Sequence, residues 1–398
     1  MELLTKKLGD ICHLITDGKH GNCKDQLDSG YYFVSCKDVK GGQVNYSGAR
    51  QISAEDFKET DRRTQFAAGD ILITNSGTIG RMCLAKDLPE TRRTTFQKSV
   101  AIIKADNDLV TSEYLYYYLL SEKDRLCNLA GGAAQKNLLL SDMRCFDVEI
   151  PKDKLLQKNW ASKVRSYDLL IENNNRRIAI LEDMAQSLYR EWFVNFRYPN
   201  HEDNLDADGK PKLIDSPLGQ IPEGWEFDKL ENMSSMKYGK MSKKDLRCKE
   251  GIPIYSGYKI TGYYPEANLN ESKVIVIARG VGGTGDVKMS PDICWLTNLS
   301  IYIMENEDLL KKSYLFYQLK FANLRSLDSG TSISQITIAD LSKYQIIAPP
   351  IELQVRFEEL CKSFWSQVKV LTKKNENLKK QRDMLLPKLI SGQIELKD

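Results

Sequence analysis

The residues of this 398-residue chain that can do chemistry are cations, amides and aromatics on short polar loops, and they fall into two sets. The first holds Lys19 and His20 in Thr16-Asp17-Gly18-Lys19-His20-Gly21, and Asn75 in a glycine-bearing turn. It also holds Arg92, Arg93 and Lys98, in a stretch with no acidic residue from Thr91 to Ile103, and then Gln135-Lys136. The second holds Lys237, Lys240, Lys243 and Lys244 in one eight-residue run, then Tyr255, Tyr258 and Lys259, and later Arg279 and Gln335. Lysine and arginine on such loops neutralise phosphates, while Gln, Asn and Arg can match base edges with two hydrogen bonds at once. Taken alone, each cluster reads as a solvated surface. Recurrence at similar positions in two halves brings the binding reading level with it.

Catalytic chemistry is poorly represented. There is no Gly-x-x-x-x-Gly-Lys-Ser/Thr loop for nucleotide hydrolysis and no Asn/Asp-Pro-Pro-Tyr/Phe sequence of base-flipping amino-methyltransferases. Three histidines and nine scattered cysteines offer neither a zinc pattern nor a disulfide framework. The expectation is no catalytic residue, no metal and no cofactor on this chain. Two patterns imitate motifs. Gly280-Val281-Gly282-Gly283-Thr284-Gly285 has the dinucleotide spacing but runs into Met289-Ser290-Pro291 rather than a helix, so it reads as a hairpin turn. Asn204-Leu205-Asp206-Ala207-Asp208-Gly209 resembles a calcium loop, but Pro211 and Pro217 intrude and Lys210 and Lys212 carry the wrong charge. It reads as an acidic linker.

The elements that must position the loops occur twice. Gly131 to Pro151 and Ser329 to Pro349 share a turn, an aspartate and a closing proline; the prolines are 349 − 151 = 198 positions apart, as are Asp142 and Asp340. Each half has a β-branched run (Ile71-Leu72-Ile73-Thr74; Val274-Ile275-Val276-Ile277), a glycine turn and a second strand (Ser99–Ile103; Ser300–Met304). An aromatic helix follows in each, from Glu113 and from Ser313, whose stripe reads as core. A long seam with coiled-coil spacing closes each half. The first runs Trp160, Val164, Tyr167, Ile171, Asn174, Ile178, Leu181, Ala185, Leu188, Trp192. The second runs Leu353, Phe357, Leu360, Phe364, then, after a stutter, Val368, Leu371, Asn375, Leu378, Arg382, Leu385, Leu389. One asparagine sits near the middle of each, and antiparallel pairing predicts contact between Asn174 and Asn375.

The expected fold is α+β: two similar domains in pseudo-twofold arrangement, joined by two long antiparallel coiled-coil helices. The boundaries are 1–152 and 223–350 for the domains, 153–196 and 351–398 for the helices with the C-terminal tail, and 197–222 for a polar linker. Apolar residues at 41%, charged residues at 28% and a net charge of +3 fit a globular cytoplasmic protein whose nucleic-acid surface, if any, is local. No apolar run is long enough for a membrane span or a leader.

This combination resembles the specificity subunit of type I restriction-modification systems over essentially the whole chain. Leu8-Gly9-Asp10-Ile11 looks like the opening of a target-recognition domain. Ser216-Pro217-Leu218-Gly219-Gln220-Ile221-Pro222-Glu223-Gly224-Trp225-Glu226 is similar to the lead-in of the second one. Leu188-Tyr189-Arg190-Glu191-Trp192-Phe193 and Leu385-Leu386-Pro387-Lys388-Leu389-Ile390-Ser391-Gly392 look like the family's two helix ends. The first lobe lacks the Ile-Pro-Glu-Gly-Trp lead-in. The resemblance implies a non-catalytic reader of a bipartite, asymmetric double-stranded DNA site, with the helices as a ruler. It further implies two methyltransferase subunits carrying S-adenosylmethionine, and ATP-driven restriction subunits. It places the loops around Lys19-His20, Asn75, Arg92-Arg93, Gln135-Lys136, Lys237 to Lys244, Tyr255 to Lys259, Arg279 and Gln335 against DNA. The alternative is a two-lobed protein scaffold that never touches DNA.

Overall fold

The structure, a computed structural model, describes residues 2–132, 136–209, 211–280, 283–328 and 334–390. Two compact units emerge, Met1–Asn174 with Lys373–Asp398, and Asn175–Thr372, so each unit takes part of both long helices.

In the first unit, four strands build the main sheet: β1 (Cys12–Asp17), β2 (Ile71–Thr74), β3 (Met82–Leu84) and β4 (Val100–Ala105), in the order β1-β4-β2-β3 with antiparallel neighbours. All four residues of β2 are buried, which is why it reads as an unbroken apolar run instead of an alternation. A short helix, α1 (Ala54–Thr64), starts at Ser53, whose hydroxyl accepts the Asp56 N–H. The aromatic helix α2 (Ser112–Ser121) buries Tyr114 to Leu119 without a break, so the stripe is core, and an all-round apolar helix needs cover on every side. Its tyrosine hydroxyls find acceptors inside: Tyr114 donates to the Glu149 carbonyl (2.9 Å) and Tyr117 to Asp168 Oδ2 (2.7 Å).

The long helices are α3 (Lys154–Tyr189) and, later in the chain, α5 (Ile351–Ile390). In the first unit the start of α3 runs antiparallel to the end of α5. Trp160 shares a core with Leu389, Arg382 Nη1 donates to Asp168 Oδ1 (2.6 Å), and Asn174 Nδ2 donates to Asn375 Oδ1 (2.8 Å). The ion pair accounts for an arginine in an apolar seam. Beyond Tyr189, α3 widens into a π-turn, Arg190–Val194, which turns both Trp192 and Phe193 into the second unit's core.

The second unit repeats the sheet with β5 (Ser234–Tyr238), β6 (Val274–Ile277), β7 (Val287–Met289) and β8 (Ser300–Glu305), ordered β5-β8-β6-β7. The helix α4 (Lys312–Phe321) takes the place of α2. The Gly280–Gly285 stretch lies between the antiparallel β6 and β7, as a hairpin turn should, with Val281 and Gly282 outside the described residues. No counterpart of α1 stands between β5 and β6; a hairpin, Ile252–Ser256 with Lys259–Tyr264, is there instead.

Two expectations need correction. Leu360 is 41% exposed, and the buried position is Cys361, so the seam steps Leu353, Phe357, Cys361, Phe364 and its four-residue irregularity falls earlier than the apolar pattern indicated. A cysteine packs here as a small hydrophobe. The stretch taken as a polar linker carries its own hairpin, Leu213–Ser216 with Gly219–Pro222. Its last apolar residue, Ile221, is buried beside Trp225, Phe193 and Tyr198.

One buried side chain joins each lobe to its helix. Gln157 accepts the Thr111 N–H (2.8 Å) and donates to the carbonyls of Leu109 (3.2 Å) and Pro151 (2.9 Å). Gln354 does the same with Lys311 (2.9 Å), Leu309 (3.0 Å) and Pro349 (2.7 Å). Both glutamines are wholly buried. Gln354→Leu keeps the volume but strands three backbone groups, so it is expected to destabilise the chain by about 3 kcal/mol in urea unfolding. A loss under about 0.5 kcal/mol would show that the clamp carries no weight.

Candidate nucleic-acid interface

Strands β5 and β6 run in the same direction on either side of β8, so their C-terminal ends meet: Tyr238 lies opposite Ile301 and Ile277 opposite Ser300. Residues entering β8, Leu296 to Leu299, form the floor of that end. Lys240 N donates to the Leu296 carbonyl (2.9 Å), Arg279 N to that of Leu299 (3.3 Å), and Thr297 N to that of Tyr255 (3.1 Å). Gln335 bridges Arg279 as a short strand contact. Three predicted loops therefore converge, carrying Lys240, Tyr255 and Arg279, with Gln335 beside them. Lys240, Lys243, Lys244, Lys259 and Arg279 are all exposed, and no ion pair holds any of them among the described residues.

The first unit builds the same end with different side chains. Asp17 lies opposite Ala101 and Thr74 opposite Val100. The floor is Phe96 to Ser99: Lys19 N donates to the Phe96 carbonyl (2.8 Å) and Asn75 N to that of Ser99 (3.1 Å). A Gly-Lys pair opens the loop in both units because the backbones cross too closely for a side chain. A Cβ on Gly18 would stand against the Phe96 carbonyl and 2.6 Å from the Gln97 oxygen. One on Gly239 would stand against the Thr297 carbonyl and 2.5 Å from the Leu296 oxygen.

The structure redistributes the other predicted residues. Asn75 is buried at 8% exposure, with its side-chain oxygen unpaired, so its backbone rather than its amide shapes the loop. Its neighbour Ser76 bridges Asn137. Arg92 and Arg93 sit at the start of the strand Thr94–Phe96, away from the end that meets Lys19, and Arg92 Nη2 bonds Asp87 (2.9 Å). Lys237 lies exposed within β5, one residue short of its end. Tyr255 is half-buried against Cys294 and Leu296. The Tyr258 hydroxyl donates toward Asp286 Oδ2 (2.6 Å) and the Gly283 carbonyl (2.9 Å), under the Lys288 ammonium 4.9 Å from its ring. Partial burial and that carboxylate push its phenol up to about 12, so it stays neutral. Lys136 is exposed; Gln135 lies outside the described residues.

Three amides escaped the sequence reading. Asn137 stands 198 positions before Gln335 and bridges Ser76 as Gln335 bridges Arg279. Gln97 and Asn298 occupy the two floors, each partly exposed just before a main strand. Their shared place before the second strand of each half was the available signal. A cavity of about 600 Å³ in the second unit is lined by Glu305, Ser313, Phe316 and Trp365, among others, and by none of these loops. The candidate site is a surface. Gly239→Ala is expected to cost about 1–3 kcal/mol of stability by thermal unfolding and to disorder the Lys240 loop. Gly48→Ala, where a Cβ meets nothing within 4 Å, is the matched control; equal effects would remove the close-crossing argument.

The family model "Type I restriction modification DNA specificity domain" matches residues 2–183 and 222–380. The MjaIX type I restriction enzyme specificity subunit of Methanocaldococcus jannaschii is 27% identical over 393 residues, covering 92% of this chain and 87% of the relative. The HindI specificity subunit of Haemophilus influenzae is 20% identical, covering 74% of this chain and 80% of the relative. Among solved structures, the crystal structure of a type I restriction-modification S subunit from M. genitalium aligns over 100% of this chain and 97% of its own. Its TM-score is 0.59 at 19% identity, a likeness of fold.

Proposed function

Since the chain belongs to the type I restriction-modification DNA specificity family, the non-catalytic subunit through which such a system reads DNA sequence, we propose that each lobe reads one half of a bipartite, asymmetric site. The observation that carries this reading is the pair of equivalent strand ends. Both have the same backbone frame, the same Gly-Lys opening and a partly exposed amide on the floor, Gln97 or Asn298, yet they present unlike side chains to a ligand. Identical readers would recognise a symmetric site; unlike ones recognise an asymmetric site. Phosphate contacts from the lysines position the duplex, and amides such as Gln335, Asn137 and Asn298 are suited to base edges.

The long helices serve as the ruler between half-sites. Helices of 36 and 40 residues extend on the order of 54 and 60 Å, beyond the roughly 34 Å between successive major grooves on one face of DNA. Their exposed apolar residues, Leu169, Leu170, Ile180, Met184, Val370 and Met384, suit docking of two modification subunits. Those partners supply S-adenosylmethionine and flip and methylate an adenine in each half-site; ATP belongs to the restriction subunits. The working compartment is the cytoplasm, where the DNA is. Among the described residues, no helix is long and apolar enough to cross a membrane.

Methylome sequencing of a host with and without this chain tests the reading. Loss of one bipartite adenine-methylation motif is the expected result. An unchanged methylome in a host whose modification subunit is expressed and active would refute it.

A further inference from the structure

The two strand ends differ in charge as well as in shape. In the first unit the cations around Lys19 are already paired, whereas Arg93, Lys98 and Lys136 stay exposed without an ion pair among the described residues. Lys19 Nζ lies 3.2 Å from Glu59 Oε1 and 3.9 Å from Asp56 Oδ1, both on α1. His20 Nε2 and Arg63 Nη2 share the carboxylate of Asp17 at 2.8 and 2.6 Å. Arg92 holds Asp87, and Arg50 holds Asp25. In the second unit the residue equivalent to Lys19 is Lys240, which makes the same backbone bond to the floor. No α1 exists there to supply carboxylates, and Lys240, Lys243 and Lys244 stand without an ion pair among the described residues.

A lysine without a carboxylate carries condensed-phosphate affinity in full: each phosphate it neutralises releases counterions and adds about 0.9 to the salt slope of binding. A lysine held by two carboxylates must exchange one anion for another, so it adds little affinity and little slope. From this difference we propose that the Lys240, Lys243 and Lys244 run gives the second lobe the larger share of the sequence-independent grip on DNA, while Glu59 and Asp56 of α1 latch Lys19 and make its engagement an exchange step. The proposal rests on the DNA-reading assignment above. It adds an order to it: the second lobe takes the firmer hold of any duplex, and Lys19 engages only where base contacts offset the loss of its internal pairs.

The test measures the salt dependence of duplex binding by the full chain assembled with its modification subunits. Lys240→Ala with Lys243→Ala and Lys244→Ala is expected to lower the magnitude of the log K versus log salt slope by about 2.7, three contacts at about 0.9 each. Lys19→Ala alone is expected to change it by less than about 0.3. Glu59→Gln, at a residue whose side chain is 65% exposed and so tolerant of the change, is expected to tighten binding several-fold and raise the slope by up to about 0.9. Adding Asp56→Asn should strengthen that gain, and adding Lys19→Ala should abolish it. Equal slope losses from Lys19→Ala and from any single second-lobe lysine would overturn the latch, as would a Glu59→Gln variant indistinguishable from the parent. If no variant alters the slope, the DNA-facing assignment of the loops fails instead, and the two failures are told apart in one data set.

Discussion

Everything the lobes present depends on two buried amides. A glutamine amide can make four hydrogen bonds, and Gln157 and Gln354 each commit three of them, including both donor hydrogens, to backbone groups of two other segments. The carbonyl before the aromatic helix, the N–H at its cap and the proline that ends the last strand are tied to the first turn of the long helix. An apolar contact could slide; three directional bonds made without access to water cannot do so cheaply. The same three bonds therefore tie lobe to helix in both units.

On this frame the units diverge where divergence is tolerated. The glycine crossings and floor bonds recur in each, because they are backbone contacts and accept almost any neighbouring side chain. Between the first two main strands, one unit carries α1 with its carboxylates and the other a hairpin with Tyr258. A scaffold that spends its conserved geometry on the main chain leaves the side chains free to vary, which suits a recognition protein.

Much of this was legible because it is periodic. The β-branched runs, the tyrosine stripe, the heptad seams and the meeting of Asn174 with Asn375 all follow from spacing alone. What escaped depends on three-dimensional neighbours. Cys361 fills a seam position that apolar spacing gave to Leu360, since a small thiol does not stand out as a core residue beside a leucine in a linear reading. Gln157 and Gln354 look like ordinary polar residues on a helix surface, and nothing in a linear reading reveals that a lobe will close over them. Asn75 looked like a reader and is a buried brace, because its loop folds back onto the Leu138 N–H. The ion pairs of Lys19 were equally hidden: Glu59 is forty positions away and becomes a neighbour only once α1 docks.

The asparagine pair is not placed symmetrically with respect to those glutamines. Seventeen residues separate Gln157 from Asn174, whereas twenty-one separate Gln354 from Asn375, a difference of one helical turn. Suppose two copies of the first helix paired with one another at the equivalent register. Asn174 would then fall opposite Ile178, and two second helices would set Asn375 opposite Leu371. Either arrangement buries an amide against a hydrocarbon, at about 1–3 kcal/mol for each unmet group. Only a first helix with a second helix satisfies both amides. The offset thus works as a test of identity: it lets the chain tell its own other half from a neighbour's copy of the same half, and it biases a molecule made of two near-repeats toward folding on itself over joining its sibling.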